Sequence, residues 1–165
     1  MSSETHSVYL LLGSNIGDRQ EHLRQARIEI AHLIGQVIQE SQIYVTEAWG
    51  LNSQDPFLNQ ALEIETVLRP ESVLRIVQEI EQRHGRTRDV RYGPRTIDID
   101  IAFYDDHVIE SKDLTVPHPG IPARNFALIP LIEIAGHMTH PVLRQTLRDL
   151  FEQSTDQSEV TILEG

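Results

Sequence analysis

Two aspartates separated by a single residue, Asp98 and Asp100, sit within the alternating run Ile97–Tyr104. Strand side chains alternate, so Ile97, Ile99 and Ile101 point one way and the two carboxylates the other, roughly 6–7 Å apart along the strand. Like charges on one sheet face repel unless something positive lies between them. A hard cation with oxygen ligands answers that need, and Mg²⁺ held together with nucleotide phosphates is the common case. Taken alone, the pair reads first as a solvent-facing polar strand face. The preceding residues favour the cation reading. Five of the fourteen basic residues, Arg83, Arg86, Arg88, Arg91 and Arg95, fall within thirteen positions, and the chain's single lysine is Lys112. Arginine presents a planar fork of donors that matches phosphate oxygens bidentately. Arg86, Arg88 and Arg95 therefore read as a phosphate clamp beside the strand, the alternative being neutralisation of an acidic surface. Pro94 stiffens the approach to Arg95, while Arg91 and Asp89 read as solvated loop charges.

Other residues with chemistry to offer are more ambiguous. Glu81 falls at the border of an apolar helical face, where a carboxylate needs a partner. It either accepts hydrogen bonds from a ligand base or ribose, or pairs with an arginine. Phe57 and Phe126 each open an element and read as core packing, or else as faces that stack on a flat heterocycle. Asn59 lies two residues after Phe57, on the same strand face, and its amide both donates and accepts. His118, between Pro117 and Pro119, is a phosphate contact or simply a turn histidine. The other seven histidines lack metal-ligand spacing, and His137 and His140 read as surface residues. Gly13-Ser14-Asn15-Ile16-Gly17-Asp18 lacks the lysine of a phosphate-binding P-loop and reads as a structural turn.

The elements that must position these groups follow from periodicity. Ser7–Leu12 is a short strand, Asp18 caps a helix to about Ile34 with Leu23, Ala26, Ile30, Leu33 and Ile34 on one face, and Gly35 ends it. Residues 36–45 read as one strand, 46–56 as a loop and 57–68 as the next strand. Pro70 opens a second helix with Val73, Val77, Ile80 and His84 on one face, and Gly85 terminates it. After the arginine-rich loop 86–96 comes the strand with the aspartates. The order β-α-β-β-α-β is that of a ferredoxin-like α+β fold. Two further helices, near 124–135 and 143–153, are expected to cover the sheet's other face and make three αβα layers. The whole of 1–165 reads as one catalytic domain, with 154–165 as a polar, fraying tail.

Composition narrows the class of function. The chain has 165 residues, no cysteine and a formal net charge of -11. An acidic surface repels nucleic acid, so a small polyanionic ligand suits the local arginine cluster better. The absence of cysteine excludes disulfides and thiolate chemistry and suits a reducing compartment. No apolar run approaches the ~20 residues of a membrane span, and Met1–Ser7 lacks signal-peptide character. The expectation is a cytoplasmic monomer with neither nucleic-acid nor membrane partners.

Four segments together carry a family resemblance: GSNIGDR at 13–19, YVTEAWG…QDPFLNQA within 44–61, RHGRTRDVRYGPRTIDIDI at 83–101 and LTVPHPGIPARNFALIPLIEIA at 114–135. Their order and content resemble the 6-hydroxymethyl-7,8-dihydropterin pyrophosphokinases of folate biosynthesis. Glu47, Ala48, Tyr92 and Pro119 depart from the family's usual residues. The resemblance implies transfer of diphosphate from ATP to the pterin's hydroxymethyl oxygen, with release of AMP. It implies that Asp98 and Asp100 hold two Mg²⁺ ions and that Arg86 and Arg95 join them in catalysis. It implies an ATP site made by Gln78, Glu81, Arg86, Arg88, Tyr92, Arg95, Ile101, Thr115, His118 and Arg124. Phe57 and Phe126 would sandwich the pterin, with Thr46, Asn59 and Asp98 at its polar edge. Two rivals remain: a non-catalytic ligand-binding module on the same scaffold, and a nucleotidyltransferase, which would release pyrophosphate instead of AMP.

Overall fold

A computed structural model describes residues 4–46, 56–85 and 96–164. Strand β1 (His6–Ser14) leads through the Asp18 cap, whose carboxylate accepts the Glu21 N–H at 3.1 Å, into helix α1 (Arg19–Leu33). Strands β2 (Gln36–Glu40), β3 (Tyr44–Thr46) and β4 (Phe57–Thr66) precede helix α2 (Pro70–Arg83), which is followed by β5 (Asp98–Tyr104). A small hairpin of β6 (Ile109–Glu110) and β7 (Thr115–Val116), a 3₁₀ turn at Ile121–Ala123, helices α3 (Asn125–Ala135) and α4 (Leu147–Gln153), and strand β8 (Val160–Ile162) complete the chain.

The main sheet runs β5-β1-β4-β3-β8, with β2 also pairing with β4, and all its described pairs are antiparallel. It separates two apolar cores. Leu10, Leu12, Leu58, Leu62, Ile99 and Ile101 meet Leu23, Ala26 and Ile30 of α1 and Val73, Val77 and Ile80 of α2. Leu11, Ala61, Ala102 and Phe103 face the other way, against Ala127, Leu128 and Leu131 of α3 and Leu147 and Leu150 of α4. This is the expected ferredoxin-like α+β arrangement with helices on both faces.

Four details differ from the expectation. Leu33, placed on the buried face of α1, is 39% exposed. At 100° per residue it lies about 80° off the stripe that joins Leu23, Ile30 and Ile34. The single strand expected over 36–45 is broken between β2 and β3 by Ser41. Its N–H still donates to the Ala61 carbonyl at 2.9 Å, but its hydroxyl accepts the Ala61 N–H at 2.9 Å and the Gln60 amide donates to its carbonyl at 2.7 Å, so side chains replace part of the ladder there. The tail expected to fray from Ser154 instead ends in β8, which pairs with β3, and the Leu163 N–H donates to the Ile43 carbonyl at 2.8 Å. His140, expected at the surface, is 4% exposed. Its Nδ1 accepts the N–H groups of Val142 and Leu143, and its ring meets the edge of Phe103 at 5.7 Å.

Burial holds the His140 imidazole below its ordinary pKa. Its neutral form therefore contributes stability that is intact above the unfolded-state pKa of about 6.5 and is lost as pH falls below it. Urea unfolding followed from pH 7 to pH 5 should show a shallower loss of stability in His140→Gln than in the parent. A second prediction concerns Gly35, where a Cβ would stand 2.0 Å from the Glu65 carbonyl oxygen. Gly35→Ala should lower the unfolding free energy by about 1–3 kcal/mol in the same assay, because backbone must move to admit the methyl group.

Candidate active site

The site is assembled by strand register. On β5, Asp98 lies opposite Gly13 and Asp100 opposite Leu11, while on β4 Asn59 lies opposite Gly13 and Ala61 opposite Leu11. Directly paired residues share a face. Asp98, Gly13 and Asn59 thus form one row across three strands, which Tyr44 of β3 extends. This is the α3-side face: α3 packs on Leu11, Ala61 and Ala102, and its Glu133 accepts the Tyr44 hydroxyl at 2.6 Å at the β3 end of the row. Asp98, Gly13 and Asn59 lie one row along from Leu11 and Ala61.

Glycine at position 13 makes the row a floor. A Cβ there would stand 3.1 Å from Asn59 Oδ1 and 3.9 Å from Phe57 Cδ1. Phe57 is half-buried, and the Asn59 amide nitrogen donates to Thr46 Oγ1 at 2.8 Å. An aromatic face, an oriented amide and a hydroxyl therefore meet beside Asp98, the combination that grips a flat heterocycle with polar edges.

Asp98 is half-buried, whereas the Asp100 side chain is 52% exposed. His118 Nε2 stands 3.9 Å from Asp100 Oδ1. The other imidazole nitrogen, Nδ1, accepts the Gly120 N–H at 3.1 Å, so a neutral ring carries its proton on Nε2, toward Asp100. The backbone of His118 is fixed as well, since its N–H donates to the Ala102 carbonyl at 3.0 Å. Ala102 is the extra residue of a β-bulge, where the β1–β5 register shifts between Tyr9 and Leu10. At Gly120 a Cβ would meet the His118 ring at 3.4 Å and Arg124 Cζ at 3.7 Å, which places both side chains against one backbone position. The Arg124 guanidinium also lies 5.8 Å from the Phe126 ring centroid.

Glu81 is 5% exposed, and its Oε2 accepts the Ile99 N–H at 2.9 Å. One partner of this carboxylate is therefore a backbone group of the chain itself. It is the outward-facing backbone of an edge strand, between the two aspartates, and binding it fixes the edge that carries them. Gln78, three residues earlier, lines a cleft of about 740 Å³ between α2 and the β6–β7 hairpin, with Leu74, Ile109 and Leu114 among its walls. Thr115 follows Leu114 and is exposed. The Ile101 side chain packs in the core under α1 and α2, leaving only its backbone for any ligand. Arg86, Arg88, Tyr92 and Arg95, together with Glu47 and Ala48, lie outside the described residues.

The structure thus brings together Thr46, Phe57, Asn59 and Asp98 in one place and Asp100, His118 and Arg124 beside it, with Phe126 next to Arg124. Sequence reasoning misses Gly13, which it assigns to a turn, and Leu74 and Leu114. A signal for Gly13 does exist, as a glycine ending a strand opposite polar neighbours. Among the described residues no three metal-binding side chains converge. Two carboxylates, one half-buried and one exposed, still suit Mg²⁺, which takes one or two protein carboxylates and completes its shell with phosphate and water. No described helix is long and apolar enough to cross a membrane.

Residues 9–136 match the model of the 7,8-dihydro-6-hydroxymethylpterin-pyrophosphokinase family. The 2-amino-4-hydroxy-6-hydroxymethyldihydropteridine pyrophosphokinase of Bacillus subtilis is 43% identical over 155 residues, covering 93% of this chain and 88% of that protein. The protein of the same name from Aquifex aeolicus is 38% identical over 149 residues, 90% of this chain and 92% of the relative. Among solved structures, Plasmodium falciparum HPPK-DHPS superposes with a TM-score of 0.73 at 17% identity. The match covers 93% of this chain but 43% of that one, and it bears on the fold alone.

The floor at Gly13 yields a direct test. Gly13→Ala should leave thermal stability within about 1–2 kcal/mol, because the tightest neighbour is the end of a side chain. It should nevertheless weaken binding of a pterin by displacing Asn59, with little effect on nucleotide binding; titration calorimetry with each ligand separates the two.

Proposed function

The chain belongs to the 7,8-dihydro-6-hydroxymethylpterin-pyrophosphokinase family and is a pyrophosphokinase, and on that premise we propose that it transfers diphosphate from ATP to the hydroxymethyl group of 6-hydroxymethyl-7,8-dihydropterin in folate biosynthesis. The observation that supports this reading is the row Asp98–Gly13–Asn59, which we read as a heterocycle-binding corner beside the carboxylate pair. A ligand-binding module would have no use for that adjacency.

In this reading the pterin lies over Gly13, between the rings of Phe57 and Phe126, and its polar edge meets Asn59, Thr46 and Asp98. The adenosine end of ATP occupies the cleft that Gln78 and Leu114 line, beside Thr115, with the triphosphate running past Asp100 toward the pterin. The hydroxymethyl oxygen forms a bond to the β-phosphorus, the bridge from that phosphorus to the α-phosphate breaks, and AMP and a proton leave. Negative charge grows on the phosphoryl oxygens and the departing AMP, and positioned cations and hydrogen-bond donors stabilise it. In this reading His118 and Arg124 do so, the first donating from Nε2 and the second from a planar fork. Arg86, Arg88, Tyr92 and Arg95 would close on the phosphates from the segment before β5. Asp98 and Asp100 would hold two Mg²⁺ ions, which when bound supply charge neutralisation at the phosphates. The proposed enzyme is a cytoplasmic monomer acting on two small molecules.

Incubation with ATP, Mg²⁺ and 6-hydroxymethyl-7,8-dihydropterin should yield AMP and the pterin diphosphate; release of pyrophosphate in place of AMP would identify a nucleotidyltransferase. Asp98→Asn and Asp100→Asn should each lower turnover by about 10²–10³-fold or more while melting close to the parent, and chelation with EDTA should stop the reaction. Turnover near the parental rate in either variant at saturating Mg²⁺ would remove the metal assignment.

A further inference from the structure

We propose that Asp156 is a positioning residue for the pterin side of the site, acting by fixing the first turn of α3 and with it Arg124 and Phe126. The inference rests on the roles proposed above for those two residues.

Helix α3 begins without a cap of its own. Its N-cap residue is Arg124, whose side chain has no acceptor, and no side-chain capping bond is made from that position. The first N–H groups of a helix need acceptors from elsewhere. Asp156 supplies one from thirty-one residues away, its Oδ2 accepting the Asn125 N–H at 2.7 Å. Its carbonyl accepts the Asn125 side-chain amide at 2.9 Å, so Asn125, lying between Arg124 and Phe126, is held at two points.

Asp156 is itself held. Its Oδ1 accepts the Ser158 N–H at 2.9 Å, and its own N–H donates to Ser154 Oγ at 3.2 Å. Burial pushes its carboxyl pKa up, but the Asn125 and Ser158 hydrogen bonds and the nearby Arg124 charge outweigh burial and hold it below the ordinary value. A negative charge at this point also complements the positive end of the α3 dipole. Four residues later the same segment becomes β8 and pairs with β3, Val160 opposite Thr46. Thr46 accepts the Asn59 amide. One short stretch of chain therefore ties the helix that carries Phe126 and Arg124 to the strand that orients Asn59. A displacement of about 1 Å in a positioning group is enough to cost binding and rate heavily.

The test compares Asp156→Ala, Asp156→Asn and, as a control, Phe126→Ala. For each, the melting temperature, the dissociation constants of 6-hydroxymethyl-7,8-dihydropterin and of ATP with Mg²⁺, and KM and kcat are measured. Asp156→Ala should weaken pterin binding about tenfold or more and should move ATP binding less. Asp156→Asn should restore most of the loss, since asparagine caps a helix about as well as aspartate. A lower melting temperature with pterin affinity at the parental value would reduce Asp156 to a structural cap and overturn the proposal. If Asp156→Ala does not fold, Asn125→Ala, which removes only the amide link, should weaken pterin binding in the same direction, and unchanged binding overturns the proposal equally. If Phe126→Ala also leaves pterin binding intact, the reading of the site fails; if only Phe126→Ala weakens it, the role of Asp156 alone fails.

Discussion

The antiparallel ladder between β1 and β5 is the constraint on which the site depends. Gly13 faces Asp98 and Leu11 faces Asp100 across it. Because strand side chains alternate, a slip of one residue would turn both carboxylates into the core under α1 and α2 and push Ile99 and Ile101 out of it. The register is therefore held by burial. Ile99 and Ile101 are nearly inaccessible, and so are their neighbours Leu10 and Leu12. At roughly 1.5–3 kcal/mol for each fully buried aliphatic side chain, the apolar face of β5 outweighs the cost of gathering two acids on its other face. The acid-bearing face of the strand is thus stabilised by its buried apolar half.

Two departures from a regular edge strand convert this ladder into a site. Glu81 takes the Ile99 N–H, so the strand edge between the aspartates is closed by the second helix and not left to solvent or another chain. At the other end the bulge at Ala102 turns a carbonyl toward the His118 N–H. The histidine's backbone is thereby tied to the strand whose acid its side chain approaches. The distance from Nε2 to Asp100 follows from a main-chain bond on the same strand, two residues along.

Much of this is legible in the sequence because it follows from alternation. Asp98 and Asp100 on one face, Phe57 and Asn59 on one face, and the β-α-β-β-α-β order all come from a period of two or 3.6. What is not legible depends on groups distant in sequence. Ser41 breaks a strand by bonding to Ala61 across the sheet, His140 is buried because Phe103 receives it, and Asp156 caps a helix whose own N-cap side chain, Arg124, offers no acceptor. No local pattern announces such partners. The polar composition after Ser154 suggests fraying, since the acceptor that gives the segment its purpose leaves no periodic trace. Periodicity marks Glu81 as needing a partner, but a backbone N–H has no signature in a sequence.

The bare backbone at Gly13 has a consequence for chemistry directed at this enzyme. A compound lying flat on that floor would touch main-chain atoms, which no codon change can replace. Substitution at that position could evict the compound only by crowding the Asn59 amide as well, and on the function proposed above the enzyme would then lose its grip on the pterin. An inhibitor that draws its affinity from this patch, and not from the surrounding side chains, leaves the organism few escape mutations that keep the pathway running.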